Sequence, residues 1–291
     1  MPVHDISAHR LASVFSTRVF RALAHERIEG AAKRLVPLLS VGRSGDAPLA
    51  ELFDLAHERL LREYRSEYLY KNALISKIVF GRHRPTTASA ILEQPMGDSE
   101  ADLLILNGTS TVYEIKTDLD QFSRLDGQLH DYCSRADRVY VVTSDQRAAA
   151  IAARVPSHVG ILLLRRGGGF STLRKAESNM PRLDPNHLFR MLRRDEALSL
   201  MARTVGYSPD VARGDLSARL RGLFCELDIE TAHQGVVRAL RARSASAVKL
   251  TTELNFPSSL RALAFGTELS RIGASRVVER LANPLAPLMG Y

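Results

Sequence analysis

Residues 101–132, ADLLILNGTSTVYEIKTDLDQFSRLDGQLHDY, set charged side chains inside two runs of strand-forming residues and then open a helix. The runs DLLIL and TVYEIK flank Asn107 and Gly108, residue types that tolerate the positive φ of a tight hairpin turn. Side chains of an extended chain alternate between faces, so Val112, Glu114 and Lys116 share one side of the second strand and Tyr113 and Ile115 the other. A carboxylate and an ammonium therefore stand side by side on a mostly apolar strand, where burial is costly unless they are paired or hold an ion. A strict two-residue Asn-Gly turn would pair Leu106 with Thr109 and send Asp102 to the opposite face from Glu114. A three-residue or bulged connection brings both acids to one face, and that is the connection the pattern predicts.

Two readings of these residues compete. In one, Glu114 and Lys116 form an ordinary ion pair on a solvent-facing sheet. In the other, Asp102 and Glu114 are hard oxygen ligands for Mg²⁺ or Mn²⁺, which keeps waters and phosphate oxygens in its remaining positions. Such a metal activates a water and neutralises developing charge, while Lys116 orients the water or stabilises the transition state of phosphodiester hydrolysis.

Asp102, eleven residues, then Glu114-Ile-Lys116 across adjacent strands resembles the core of the PD-(D/E)XK nuclease superfamily. The following helix carries Gln128-Leu-His-Asp-Tyr132, similar to the Gln-x-x-x-Tyr element of the exonuclease and helicase-linked branch of that superfamily. Ala101 stands where the proline that names the superfamily would be. The run from Glu63 to Leu164 also looks like a poorly characterised bacterial nuclease-like group with an Asn-Gly-Thr-Ser-Thr-like turn before Glu-Ile-Lys, and that likeness names no substrate. The resemblance implies a restriction-endonuclease-like α/β fold, a mixed sheet flanked by helices in the order α-β-β-β-α-β. It implies catalytic roles for Asp102, Glu114, Lys116, Gln128 and Tyr132, with the Ile115 carbonyl as a further metal ligand. Superfamily members place another acid on the helix before the sheet, and Glu67 is the candidate there. Its other reading is an i,i+4 ion pair with Lys71. Glu93, in the first strand SAILEQP, competes as the additional acid.

Outside the core, apolar residues Leu11, Val14, Phe15, Val19, Phe20 and Leu23 recur at helical spacing and predict two short N-terminal helices. GRSGDAP, residues 42–48, reads as a boundary, and residues 49–80 as one long helix. RVYVVT and VGILLLR, separated by SDQRAAAIAARV, give a βαβ rhythm, and FSTLRKA reads as an edge strand. After Pro181 strands disappear. The expected division is a helical extension over 1–48, a nuclease-like core over 49–180 and a helical unit over 181–291.

The C-terminal helices are arginine-rich, and Arg190, Arg193, Arg194, Arg238 and Arg241 are candidates for phosphate contacts that set affinity without sequence choice. The competing reading is a solvated basic face on a docking or dimerising bundle. A net charge of +8 suits a polyanionic partner such as DNA. Cys133 and Cys225 lie apart from any Cys/His cluster, which fits small core residues in a reducing, cytoplasmic setting without structural zinc. No apolar run approaches the roughly 18 residues of a membrane span, and P-loop, GxGxxG, HExxH and GxSxG patterns are missing. The expectation is a Mg²⁺- or Mn²⁺-dependent deoxyribonuclease serving defence against foreign DNA or repair. The alternative is a nuclease-fold module that binds nucleic acid or protein with weak or no catalysis.

Overall fold

The computed structural model describes residues 7–28, 33–42, 47–118 and 120–285. Most of GRSGDAP lies outside the described residues, as does Leu119, whose spacing to Phe122 and Leu125 reads as part of the apolar stripe of the helix that carries Gln128. By contact, the chain divides into a sheet unit, residues 86–163 and 170–244, and a helical unit, residues 1–85, 164–169 and 245–291.

The sheet unit is built on six strands in sequential order: β1 (Ser89–Met96), β2 (Ser99–Leu106), β3 (Ser110–Lys116), β4 (Arg138–Thr143), β5 (Gly160–Leu164) and β6 (Phe170–Arg174). The first three are antiparallel, and β3, β4 and β5 are parallel, so the sheet is mixed. The antiparallel half is closed by turns. Gly97, with φ 72°, makes the two-residue link between Met96 and Ser99. Parallel strands need a crossover, and α5 (Leu125–Cys133) and α6 (Ala148–Arg154) provide it between β3 and β4 and between β4 and β5. Every residue of β3 is buried, as expected for a central strand covered on both faces. Pro95 is tolerated because β1 is an edge strand. FSTLRKA forms β6 at the other edge.

Helices α7 (Pro185–Phe189), α8 (Arg194–Val205), α9 (Leu216–Cys225) and α10 (Ile229–Ala242) complete this unit. Their Leu200, Phe224, Val236 and Leu240 share one apolar cluster with Leu104, Val112, Leu129 and Val139. Arg243, just past α10, grips Glu196 on α8 with two short bonds of 2.7 and 2.6 Å.

The helical unit contains α1 (Ala8–Ala12), α2 (Thr17–Ala24), α3 (Leu49–Glu63), α4 (Glu67–Leu74), α11 (Ala245–Thr251), α12 (Arg261–Phe265) and α13 (Arg271–Ala282). Its core joins Leu11, Phe15 and Phe20 to Phe53, Leu60, Leu250, Leu263 and Val277. The N-terminal amphipathic segment is thus a packed pair of helices.

Two expectations differ from this arrangement. The helix expected over 49–80 breaks at Tyr64, whose φ of −154° and ψ of 97° are extended, and residues Ile75–Arg82 widen into a π-helix. The apolar spacing hid the break because Leu60 and Leu69 remain buried on either side of it. The helices after residue 180 are also not one body: those before residue 245 cover the sheet, whereas α11 to α13 close the core of α1 to α3. An apolar helix face in the sequence marks burial without naming what buries it.

Candidate active site

The connection between β2 and β3 has three residues. Leu106 pairs with Ser110 and Leu103 with Tyr113, leaving Asn107, Gly108 and Thr109 as the loop, with Gly108 at φ 90°. This register puts Asp102 at the rung of Glu114, and Asp102 Oδ2 accepts from the Ile115 amide at 2.6 Å. The carboxylate therefore takes the place of a backbone acceptor at that point of the ladder.

Glu114 and Lys116, two apart on β3, meet on the same face with Oε1 and Nζ 2.7 Å apart. They are only 2% and 8% exposed, so this is a buried ion pair and not a solvent-facing one. Helix α5 supplies the rest. Gln128 Oε1 accepts from Lys116 Nζ at 2.9 Å, and one turn later Tyr132 donates its hydroxyl towards Glu114 Oε2 at 2.9 Å and the Glu100 carbonyl at 2.8 Å. The i,i+4 spacing of Gln128 and Tyr132 is what lets one helix face reach both members of the pair. Thr143 on β4 donates to the Lys116 carbonyl at 2.7 Å and fixes the end of β3, a support that its own position in the sequence did not signal.

Burial raises the Tyr132 pKa far above its ordinary value, and the nearby Glu114 and Asp102 carboxylates push the same way. The phenol is therefore a neutral donor throughout the working pH range. Lys116 spends two of its three ammonium hydrogens on Glu114 and Gln128, which leaves one for a water or a substrate oxygen.

The donor set of Asp102, Glu114 and the Ile115 carbonyl suits Mg²⁺, which takes one or two carboxylates and keeps its waters. Each Glu114 oxygen accepts one internal hydrogen bond and retains a second lone pair, so the carboxylate can hold a cation without breaking the network. Among the described residues no three His, Cys, Asp or Glu side chains gather as a metal-holding group. Glu93 stands at the rung of Asp102, between the pairs Leu92 with Leu103 and Gln94 with Ala101, but its φ of 52° interrupts the strand alternation and the side chain is exposed. Glu67 begins α4 in the helical unit and pairs with Lys71 at 2.6 Å, the i,i+4 bridge of the simpler reading.

Of the arginines singled out for phosphate, Arg190, Arg193 and Arg238 are exposed. Arg194 is exposed 3.9 Å from Asp195, and Arg241 donates to the Thr86 carbonyl. Arg219 and Arg243 are held by Asp210 and Glu196. Cys133 and Cys225 are half-buried free thiols, Cys133 packing against the apolar core of the sheet unit; each meets a polar neighbour, His158 and Asn186 respectively, at 3.5 Å. No helix among the described residues is long and apolar enough to cross a membrane.

The sequence reading missed a buried cluster at the start of β3. The Asp137 amide donates to Ser110 Oγ at 3.0 Å, and that hydroxyl lies 2.7 Å from His233 Nε2 of α10. Ser110 and His233 lie 123 residues apart, and no local pattern connects them.

Comparison with known proteins finds a phage protein similar in sequence. Protein cII of Enterobacteria phage P4 is 32% identical over 111 residues, which is 38% of this chain and 38% of that protein. The match thus spans well under half of the relative's length. No solved structure matches the chain. The family model described as Bacteriophage P4 protein cII matches residues 61–255, most of the chain and all of the network above. The chain belongs to the bacteriophage P4 protein cII family.

Proposed function

We propose that the chain is a Mg²⁺- or Mn²⁺-dependent nuclease that hydrolyses phosphodiester bonds in DNA. The observation that carries this reading is the bond from Lys116 to Gln128, which ties the acid-and-lysine strand to the Gln-x-x-x-Tyr helix in one network. Asp102, Glu114 and the Ile115 carbonyl are the residues that would hold the ion. When bound, it would supply Lewis acidity and a water of lowered pKa. Lys116 orients that water or a phosphate oxygen through its remaining N–H, Gln128 holds the ammonium in place, and Tyr132 steadies Glu114. The exposed Arg190, Arg193 and Arg238, on a chain of net charge +8, would hold the DNA backbone.

A second reading has its own support. Each Glu114 oxygen already accepts one hydrogen bond within the protein, so the network holds together without an ion, which also suits a nuclease-like scaffold that binds without cutting. One experiment separates the two: purified protein with linear, circular and single-stranded DNA and with RNA, in Mg²⁺ and in Mn²⁺, beside Asp102→Ala and Lys116→Ala. Metal-dependent cleavage lost in both variants supports the nuclease. DNA binding without cleavage, unchanged in both variants, supports the module.

A further inference from the structure

Helix α5 has a second polar face. Gln128 and Tyr132 serve the network, while Asp126, His130 and Cys133 line a separate cavity of about 440 Å³ on the same unit, together with Arg154, His158 and Arg182. That volume is within the usual range for small-molecule sites.

Its charge is uneven. Arg154 is matched by Asp126 at 2.7 Å, but Arg182 has no carboxylate within ion-pair distance among the described residues and reaches only the Ser178 carbonyl at 3.4 Å. Arg174 holds the carbonyls of Val155, Pro156 and Val159, which fixes the turn that carries His158. His158 Nε2 lies 3.5 Å from Cys133 Sγ, so the imidazole is anchored against the wall of the cavity. Burial holds the His158 pKa below its ordinary value, with the fields of Arg182 and Arg174 adding to it and Glu177 opposing, and Arg182 opposes the burial that raises the Cys133 thiol to about 11. An unneutralised guanidinium thus lines the cavity together with His130, His158 and the apolar side chains of Leu129 and Pro156.

We propose that this cleft binds a small phosphomonoester, with its phosphate on Arg182 and His158 and its organic body on Leu129 and Pro156. Arg182 supplies charge and paired donors, and His158 adds a donor when it takes up a proton. The phosphate competes with Asp126 for Arg154.

The test is calorimetric titration in metal-free buffer with inorganic phosphate and with deoxyadenosine 5′-monophosphate, so the result does not depend on nuclease activity. Wild type should bind the nucleotide more tightly than phosphate. Arg182→Ala should weaken nucleotide binding at least tenfold, and Asp126→Asn, which releases Arg154, should tighten it. Arg219→Ala, at an exposed arginine paired with Asp210, should leave it unchanged. Circular dichroism would confirm that each variant is folded. No saturable heat with either probe overturns the proposal, as does equal affinity in wild type and Arg182→Ala. Equal affinity for nucleotide and phosphate removes the organic body from the site and also overturns it.

Discussion

Tyr132 holds one phenolic hydrogen between two acceptors, Glu114 Oε2 at 2.9 Å and the Glu100 carbonyl at 2.8 Å. The side chain is fully buried and Glu114 is buried with it, so that carboxylate oxygen depends on the phenol for what water would otherwise provide.

Replacing Tyr132 with Phe keeps the ring packing and deletes only that hydrogen. A buried acceptor left unsatisfied costs about 1–3 kcal/mol, so urea unfolding should show a loss of that size. A midpoint equal to wild type would mean that the hydroxyl contributes nothing to the network.

The Glu114 and Lys116 pair should be strongly coupled. Lys116→Met or Glu114→Gln alone strands a buried charge and should cost about 3–5 kcal/mol, whereas the double variant should recover a large part of that loss. Additive losses in the double-mutant cycle would show that the two groups do not depend on each other.

Asp102→Asn separates structure from chemistry. An amide oxygen can still accept from the Ile115 N–H, so stability should stay within about 1 kcal/mol of wild type. The amide is neutral and removes the carboxylate charge that would hold the cation, so the proposed Mg²⁺-dependent cleavage should fall at least tenfold. Full activity in this variant would take Asp102 out of the metal site.

The helical unit should lose stability in mild acid. Burial lowers the His57 pKa from 6.5 to about 4, against the opposing pull of Asp54. Between those two values the unfolded chain binds more protons at this position than the folded one, so stability falls as pH drops through that window and is flat above it. The share due to His57 should reach about 2 kcal/mol by pH 5. His57→Gln, with an amide to meet Asn72 in place of Nε2, should flatten this part of the profile in urea titrations at pH 7.5 and 5. An identical slope in the variant would assign the acid sensitivity elsewhere.

Much of this arrangement was legible in the chain. Alternation within TVYEIK put Glu114 beside Lys116, and the need for Asp102 to share their face forced the three-residue loop that Leu106 and Ser110 frame. The four-residue spacing of Gln128 and Tyr132 on a helix was equally local. What stayed hidden depends on distant partners. Ser110 gives no sign that His233 will meet it, and Leu250 or Val277 on their helices give no sign that Leu11 and Phe20 are what they cover. The backbone at Glu93 was hidden for a different reason: a left-handed φ of 52° cannot be read from a glutamate in a strand-like run.

The helical unit draws on the first 85 residues and on residues 245–291. During translation Phe20 on α2 leaves the ribosome long before α13, which packs on that helix, while the sheet unit is complete at residue 244. The early segment must wait in an open, sticky state, and a nascent chain halted between those points should be a client of chaperones.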